Sequence, residues 1–302
     1  MFKSKNSMSR ALVRRETTAG YLFLLPSLFF FVTFVLYPMF LCIYTSFFDS
    51  NMGKNAVDVF VGLGNYKELF QDKLFLGALK NTVVIVVVAV PTVCAFSLWV
   101  ATAIYDMKPA LTSAFRCIFY LPVVTGSVAV TVVWKWMYNS RYGVFNYLFK
   151  SLGIIDQNIN WLGDARFALW CIILILFTTS VGQPIVLYVS ALGNVDHSLV
   201  EAAQVDGANR RQVFWKIKWA QIIPTTLYIL IITTINSFQC FALIQLLTSG
   251  GPTHSTDTIM YYIYYTAFKL YRYGYGNAMG VVLMIIIAVL SAVQFKLGQQ
   301  SD

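Results

Sequence analysis

The chain has 302 residues, of which 58% are hydrophobic and only 12% are charged. Soluble domains carry about 25% charged residues, so this composition excludes an ordinary soluble protein and indicates a helical membrane protein. The formal net charge of +9 raises the question of nucleic-acid binding. Basic residues that flank membrane helices explain this charge more simply, and we expect no nucleic-acid partner.

Six apolar segments are long enough to cross a membrane, because a hydrocarbon core of about 30 Å needs about 20 apolar residues in a helix. The predicted spans are 21–43, 82–104, 114–137, 167–192, 224–247 and 277–295. The sequence therefore predicts an all-α membrane protein with six transmembrane helices, in which residues 1–302 form a single transmembrane domain.

The residues before the first span set the expected orientation. One acid, Glu16, is outnumbered there by five basic residues: Lys3, Lys5, Arg10, Arg14 and Arg15. Positive flanks favour the cytoplasmic side, so we expect both the N-terminus and, after six spans, the C-terminus in the cytoplasm. The first apolar run is too long for a cleaved signal peptide, and no small-residue cleavage site follows it, so it is expected to remain as a span.

Uncharged polar residues interrupt the fourth and fifth spans. Thr233, Asn236 and Gln239 recur at every third position and so share one helix face, while Gln183 lies beside Pro184 in the fourth span. Such groups either form hydrogen bonds between helices or face a water-filled path for a hydroxyl-rich solute, and the sequence leaves both interpretations open. No Asp, Glu, Lys or His lies in the middle of a span, which argues against a proton or sodium relay. The absence of a membrane-embedded Arg or Lys disfavours a phosphorylated solute held by this chain.

The outer end of the fifth span is followed by Ser249, Gly250, Gly251 and Pro252. A Gly-Gly-Pro sequence stops a helix and forms a tight turn. This segment is either a plain connector or an external gate loop of fixed shape against which a partner rests.

The predicted cytoplasmic loop at 193–223 should contain two short helices. Ser198 is expected to cap the first, with Glu201 completing a capping box. Gly207 then permits a turn or a close backbone approach, and a second helix is expected at 209–218. The expected apolar anchors are Val205, Val213, Phe214 and Ile217. The loop is either an amphipathic interfacial helix or a knob that docks in a groove of a soluble subunit.

The motif in this loop resembles that of a known family. Glu201-Ala202-Ala203, then Gly207 and Ile217, resembles the "EAA" loop of permease subunits of binding-protein-dependent ABC importers, and within them the carbohydrate-uptake (maltose/glycerol-phosphate-type) branch. Residues 62–66, 247–252 and 273–278 agree, so the resemblance covers nearly the whole chain. The family usually ends the motif with Ile-x-Leu-Pro, whereas Ala220 stands here at the position of the proline.

The resemblance implies a type I ABC importer permease fold in a bacterial or archaeal plasma membrane, surrounded by lipid. It implies four kinds of partner: a second related permease subunit, two ATPase subunits, an external solute-binding protein and a sugar or polyol solute. ATP and Mg²⁺ would bind to the ATPase subunits, and this chain would bind no cofactor. The residues that the resemblance assigns to ATPase coupling are Glu201, Ala202, Ala203, Asp206 and Gly207.

Other classes of protein remain as alternatives. A channel or facilitator that needs no ATP would not explain an ordered docking loop. An exporter permease would normally carry fused ATPase segments or longer spans. A membrane-embedded enzyme is weaker still, because the sequence contains no nucleophile, metal or phosphate-loop motif and therefore no candidate catalytic residue.

Overall fold

The computed structural model describes residues 4–50 and 58–299. Lys3 of the basic N-terminal cluster and both ends of the predicted domain lie outside these residues. The helices are α1 (Ser4–Phe31), α2 (Tyr37–Thr45), α3 (Gly64–Gln71), α4 (Lys73–Tyr105), α5 (Pro109–Val124), α6 (Ser127–Met137), α7 (Val144–Ser151), α8 (Ala168–Ser180), α9 (Gly182–Gly193), α10 (His197–Val205), α11 (Arg210–Val213), α12 (Trp219–Phe238), α13 (Ala242–Leu247), α14 (Ile259–Tyr264) and α15 (Tyr273–Gln299).

Short elements complete the described residues. Three π-helical segments continue neighbouring α-helices: Val32–Leu36, Phe214–Lys218 and Tyr265–Lys269. Two strands, β1 (Phe48–Asp49) and β2 (Val59–Phe60), pair antiparallel with Phe48 opposite Phe60. The π-helical turns lie inside longer helical stretches, so they adjust the direction of a helix without ending it.

Five helical stretches among the described residues are long and apolar enough to cross a membrane. They are Arg15–Thr45, Lys73–Tyr105, Ala168–Gly193, Arg210–Leu247 and Tyr273–Gly298. A sixth crossing is formed only if α5 and α6 count together, and these two helices meet at 95°.

This bend differs from the single helix predicted over 114–137. Thr125 and Gly126 adopt ψ angles of 125° and 143°, which are extended and cannot continue an α-helix. The apolar run therefore contains two helices that point in different directions.

The helices pack around α4, which contacts α8, α9 and α12. Small and branched side chains fill this contact, with Ala101, Ile185, Tyr188 and Ile222 each fully buried. On the other side of α12 lies α15, which in turn packs against α2. The first helix is different, because the apolar part of the stretch Arg15–Thr45 has no residue buried within the chain.

Helices α5 and α9 approach each other closely at Gly182. A Cβ atom at this position would overlap the carbonyl oxygen of Phe119 and touch the side chain of Val123. Small residues allow such close approach between membrane helices. At the preceding residue, Ser97 of α4 donates a hydrogen bond to the carbonyl oxygen of Val181 at the break between α8 and α9 (3.3 Å). This part of the fourth span therefore contacts both α5 and α4.

The fifth span begins earlier than predicted. Asn209 caps α11, and its side chain and that of Gln212 form a reciprocal capping box. The helix then runs through Ala220 without interruption into α12. The expected separate helix at 209–218 is therefore the first part of the fifth span.

At the end of the bundle opposite to residues 209–220, two carboxylates join neighbouring segments. Asp72 accepts hydrogen bonds from the hydroxyl groups of Tyr262 (2.7 Å) and Tyr275 (2.9 Å). Burial alone would raise the pKa of Asp72, but these hydrogen bonds outweigh it and lower the pKa. Arg272 and Glu68 form a bidentate ion pair at 2.8 Å. The segments that precede α4 and α15 are thus tied together.

Candidate functional site

The helix bundle has two ends. We call the end with residues 193–209 the loop end, and the end with residues 248–272 the far end. Between them, three cavities are lined by residues of α5, α6, α8, α9, α12 and the start of α13, and we call this row of cavities the polar track. The far cavity has a volume of about 330 Å³, the middle cavity about 150 Å³ and the near cavity, closest to the loop end, about 460 Å³.

The three cavities are adjacent to one another, because neighbouring ones share lining residues. Val123 and Thr179 line both the far and the middle cavity. Gln183 and Leu187 line both the middle and the near cavity. The polar track therefore extends from the start of α13, past the second half of α12, to the first half of α9.

The predicted pathway residues meet in this track. Gln183, Thr233 and Asn236 line the middle cavity, although they come from two spans that are distant in sequence. Gln239 lines the far cavity, at the point where α12 ends. Thr233 is buried, whereas the three amide side chains are exposed in the isolated chain.

The amides do not serve to join helices within this chain. Gln183, Asn236 and Gln239 form no side-chain hydrogen bond within the described residues. By contrast, Gln294 of α15 donates to the hydroxyl of Thr234 (3.0 Å) on the neighbouring face of α12. Of the two interpretations of the polar row, the structure therefore favours a face that is open to water or solute.

Sequence reasoning missed several residues of the track. Thr125, Ser127, Thr179 and Ser180 add hydroxyl groups to the far and middle cavities. The near cavity contains Arg116 of α5. Arg116 is the third residue of the predicted span 114–137, and the sequence analysis did not single it out. The available signal was Pro109, which begins α5 about two turns before Arg116.

At the loop end, α10 is capped differently from the expectation. Asp196, not Ser198, is the N-cap residue, and its carboxylate accepts hydrogen bonds from the backbone N–H (2.9 Å) and the hydroxyl (2.7 Å) of Ser198. These hydrogen bonds lower the pKa of Asp196. A carboxylate at the N-cap accepts from free N–H groups at the helix start, so the capping box predicted for Ser198 and Glu201 does not form.

Gly207 ends α10 in a Schellman motif. The N–H of Ala208 donates to the carbonyl of Ala203 (2.9 Å), and the N–H of Gly207 donates to the carbonyl of Gln204 (3.1 Å). Gly207 has a φ of +83°, a conformation that glycine adopts without the steric cost of a Cβ atom. The turn predicted at Gly207 is therefore present.

The predicted coupling residues form one surface on α10. Glu201, Ala202, Asp206 and Gly207 are exposed, and Ala203 is partly buried. Val205, one of the expected apolar anchors, is 88% exposed and does not pack against the rest of the chain. Of the other expected anchors, Val213 is only 4% exposed, and Phe214 and Ile217 are partly buried.

A hydrogen bond connects the start of α10 to the fifth span. The backbone N–H of Asp196, the N-cap residue of α10, donates to the side-chain oxygen of Gln221 in α12 (3.1 Å). Separately, the Lys218 ammonium, in the π-helical segment that leads into α12, lies 5.0 Å from the ring centroid of Tyr105 at the end of α4. A displacement of α10 can therefore reach α12, the helix that carries Asn236 and Thr233, through Asp196 and Gln221.

The predicted gate loop lies at the far end and has a fixed shape. Ser249 and Gly250 both have positive φ angles, 48° and 83°. A side chain at Gly250 would overlap the carboxylate of Asp257, which is buried and bonded to the ring of His254 at 2.7 Å. Burial raises the pKa of Asp257, and the hydrogen bond from His254 opposes this. Tyr261 closes the loop by donating to the carbonyl of Ser249 (2.8 Å).

Apolar helices, an open polar track and an exposed helix at one end together define a multi-pass membrane transport protein. The model of the family "binding-protein-dependent transport system inner membrane component" matches residues 59–299. The chain belongs to this family, and it is therefore the membrane-spanning subunit of a binding-protein-dependent transporter.

Similar proteins of known sequence are transporter permeases. The chain is 33% identical over 288 residues to the probable ABC transporter permease protein YesP of Bacillus subtilis, covering 94% of this chain and 91% of that protein. It is 32% identical over 288 residues to the lactose transport system permease protein LacF of Rhizobium radiobacter, covering 94% and 95%. These relatives do not favour the facilitator interpretation.

A solved structure shows the same fold. A chain of a bacterial alginate ABC transporter, crystallised with an alginate pentasaccharide-bound periplasmic protein, superposes with a TM-score of 0.80. The two chains are 24% identical, and the match covers 93% of each. The type I importer permease fold inferred from the sequence is thereby confirmed.

Proposed function

We propose that this chain forms one wall of the solute path of an ATP-driven importer, which takes up a sugar or a related polyol delivered by an external solute-binding protein. The observation that carries the proposal is the polar track, in which Gln183, Thr233, Asn236 and Gln239 follow one another along the spans. The lactose permease named above, and the multiple sugar-binding transport system permease MsmF of Streptococcus mutans (32% identical), support a sugar as the solute.

The chemistry of the track suits a hydroxyl-rich solute. Each amide offers both donors and acceptors, and none of the three is occupied by another side chain in the described residues. Several weak sites in series allow a solute to enter and leave, whereas one strong site would retain it. Sugar hydroxyls would exchange hydrogen bonds with water for hydrogen bonds with Gln239, then Asn236 and Gln183.

A second, related permease subunit would close the open side of the track. The first helix supports such a partner, because the apolar part of the stretch Arg15–Thr45 has no residue buried among the described residues, whereas α2 packs against α15. Apolar side chains along this helix, including Phe23 and Phe34, are exposed in the isolated chain. We assign this face to contact with the partner permease and with lipid.

Two ATPase subunits would supply the energy, with ATP and Mg²⁺ bound to them. One of them would grip α10 through Glu201, Ala202, Ala203, Asp206 and Gly207. This assignment places the loop end and both termini in the cytoplasm and the far end outside. The fixed loop of Ser249, Gly250, Gly251 and Pro252 would then lie on the side where the solute-binding protein docks, as the external gate.

Replacing both Asn236 and Gln239 with leucine tests the path. Each lost hydrogen bond costs about 1 kcal/mol, so the double variant should lose about tenfold or more in uptake rate. The measurement is uptake of radiolabelled sugar by cells that produce the full transporter, with co-purification of the partner subunits as the check on assembly.

Gln245→Leu is the matched control for this experiment. It makes the same amide-to-leucine change in α13, at a residue that lines none of the three cavities. The control should keep normal uptake. Normal uptake by the double variant would exclude these amides from the path.

A further inference from the structure

The near cavity of the polar track contains a cationic side chain. Arg116, Cys117, Tyr120, Gln183 and Leu187 line this cavity of about 460 Å³. Arg116 lies seven residues into α5, which is about 10 Å along the helix axis at 1.5 Å per residue. The guanidinium group therefore lies beside the track, between the middle cavity and the loop end.

Part of this guanidinium group has no partner. The Nε atom of Arg116 is buried and forms no hydrogen bond within the described residues. Arg116 is also absent from the ion pairs among those residues, and no carboxylate lines any of the three cavities. The other N–H groups of this guanidinium form no hydrogen bond within the described residues either, and they are not buried, so they can donate to an acceptor that arrives with the solute.

Arg116 lies next to the polar track, and not only near the membrane surface. Gln183 lines both the near cavity with Arg116 and the middle cavity with Asn236. A solute that leaves Asn236 and Gln183 towards the loop end therefore reaches Arg116 next. Lys108 shows the contrast, because it is exposed at the start of α5 and lines none of these cavities.

We propose that Arg116 is an anion-binding residue of the inner part of the path, and that the carried solutes include saccharides with an acidic group. This inference rests on the proposed function and narrows its solute class. A guanidinium group binds a carboxylate, sulfonate or phosphate group through two parallel hydrogen bonds. Gln183, which lines the same cavity, would hold a hydroxyl group of the same sugar.

The test measures binding to the purified, full transporter in nanodiscs, without the solute-binding protein. The probes are digalacturonate, the neutral galactose disaccharide, a sugar phosphate and inorganic phosphate. The variants are Arg116→Gln, Arg116→Lys and, as a control with the same loss of charge, Lys108→Gln. Elution of the intact complex from a sizing column checks that each variant is folded and assembled.

Arg116→Gln should weaken binding of digalacturonate or the sugar phosphate by about tenfold or more, since it removes charge-assisted hydrogen bonds. In the same variant, binding of the neutral disaccharide should change by less than about twofold. Arg116→Lys should bind the acidic probes with an affinity between those of the wild type and Arg116→Gln. Lys108→Gln should bind every probe as the wild type does. The two acidic probes separate carboxylate from phosphate recognition, and weak binding of inorganic phosphate alone shows that the sugar is recognised too.

Three results would overturn the inference. These are equal loss of neutral and acidic probes in Arg116→Gln, no loss of either, and wild-type protein that binds neither acidic probe. In the last two cases Arg116 would only contact the membrane surface. Failure of the proposed function would give a different result from failure of this inference. The wild-type transporter would then show no ATP-dependent uptake of any solute.

Discussion

Replacing Gly207 with tryptophan is expected to abolish the stimulation of ATPase activity by loaded solute-binding protein. A Cβ atom at Gly207 meets nothing within 4 Å in this chain, so the indole would project outward from the end of α10. If an ATPase subunit binds to this surface, the indole would occupy the space that the ATPase subunit fills in the complex. Loss of a central interface contact costs about 2 kcal/mol or more, which weakens retention of the ATPase by about thirtyfold.

A tryptophan at Gly207 also introduces backbone strain, because this residue has a positive φ. A second glycine with a positive φ serves as the control for that strain. Gly153 has a φ of +67° and also meets nothing within 4 Å. It ends α7 in the same motif, with the N–H of Ile154 donating to the carbonyl of Phe149 (2.9 Å). Tryptophan at either glycine should cost about 1–2 kcal/mol of backbone strain.

The two tryptophan variants therefore separate strain from contact. Gly153→Trp should keep ATPase stimulation, and Gly207→Trp should lose it together with the ATPase subunit on purification. Gly207→Asn should be mild, because asparagine tolerates a positive φ. Normal stimulation in Gly207→Trp would place the ATPase contact elsewhere than at the end of α10.

Replacing Gly182 with leucine is expected to have the second large effect. The new side chain would overlap the backbone of α5 at Phe119, and backbone atoms cannot move aside as a flexible side chain can. Overpacking of this kind costs about 1–3 kcal/mol. Because Val123 and Gln183 flank this crossing and line the middle cavity, separation of α5 and α9 should also widen the track.

The measurements for Gly182→Leu are the midpoint of thermal unfolding and sugar uptake, and both should fall. Gly77→Leu is the control, because it makes the same change inside α4 at a position with nothing within 4 Å. It should preserve both quantities. Unchanged stability and uptake in Gly182→Leu would show that α5 and α9 do not depend on this close approach.

Hydropathy and local spacing predicted much of the fold, for identifiable reasons. Runs of about 20 apolar residues have few alternatives to a membrane helix, and the spacing of Thr233, Asn236 and Gln239 placed them on one face whatever their surroundings. The bend at Gly126 was not predicted, because a glycine inside an apolar run is compatible with either a straight or a broken membrane helix. The helix start at Asp196 was missed because Ser198 is an equally good cap by residue type.

The candidate site was harder to predict than the helices. That Gln183 and Asn236 share a cavity depends on how α9 packs beside α12, which no local pattern specifies. Arg116 was not singled out from the sequence, because a basic residue near the end of an apolar run is typical of a membrane interface. Only the packing of α5 against α9 at Gly182 brings Arg116 beside Gln183.

The central claim is that this chain carries solute uphill with energy supplied through α10. The most direct test is solute accumulation in proteoliposomes that contain the full transporter, with the solute-binding protein outside and ATP enclosed on the loop-end side. We expect the internal sugar concentration to rise above the external one only when both ATP and the binding protein are present. Equilibration of the sugar to equal concentrations without ATP would contradict the account and identify a facilitator.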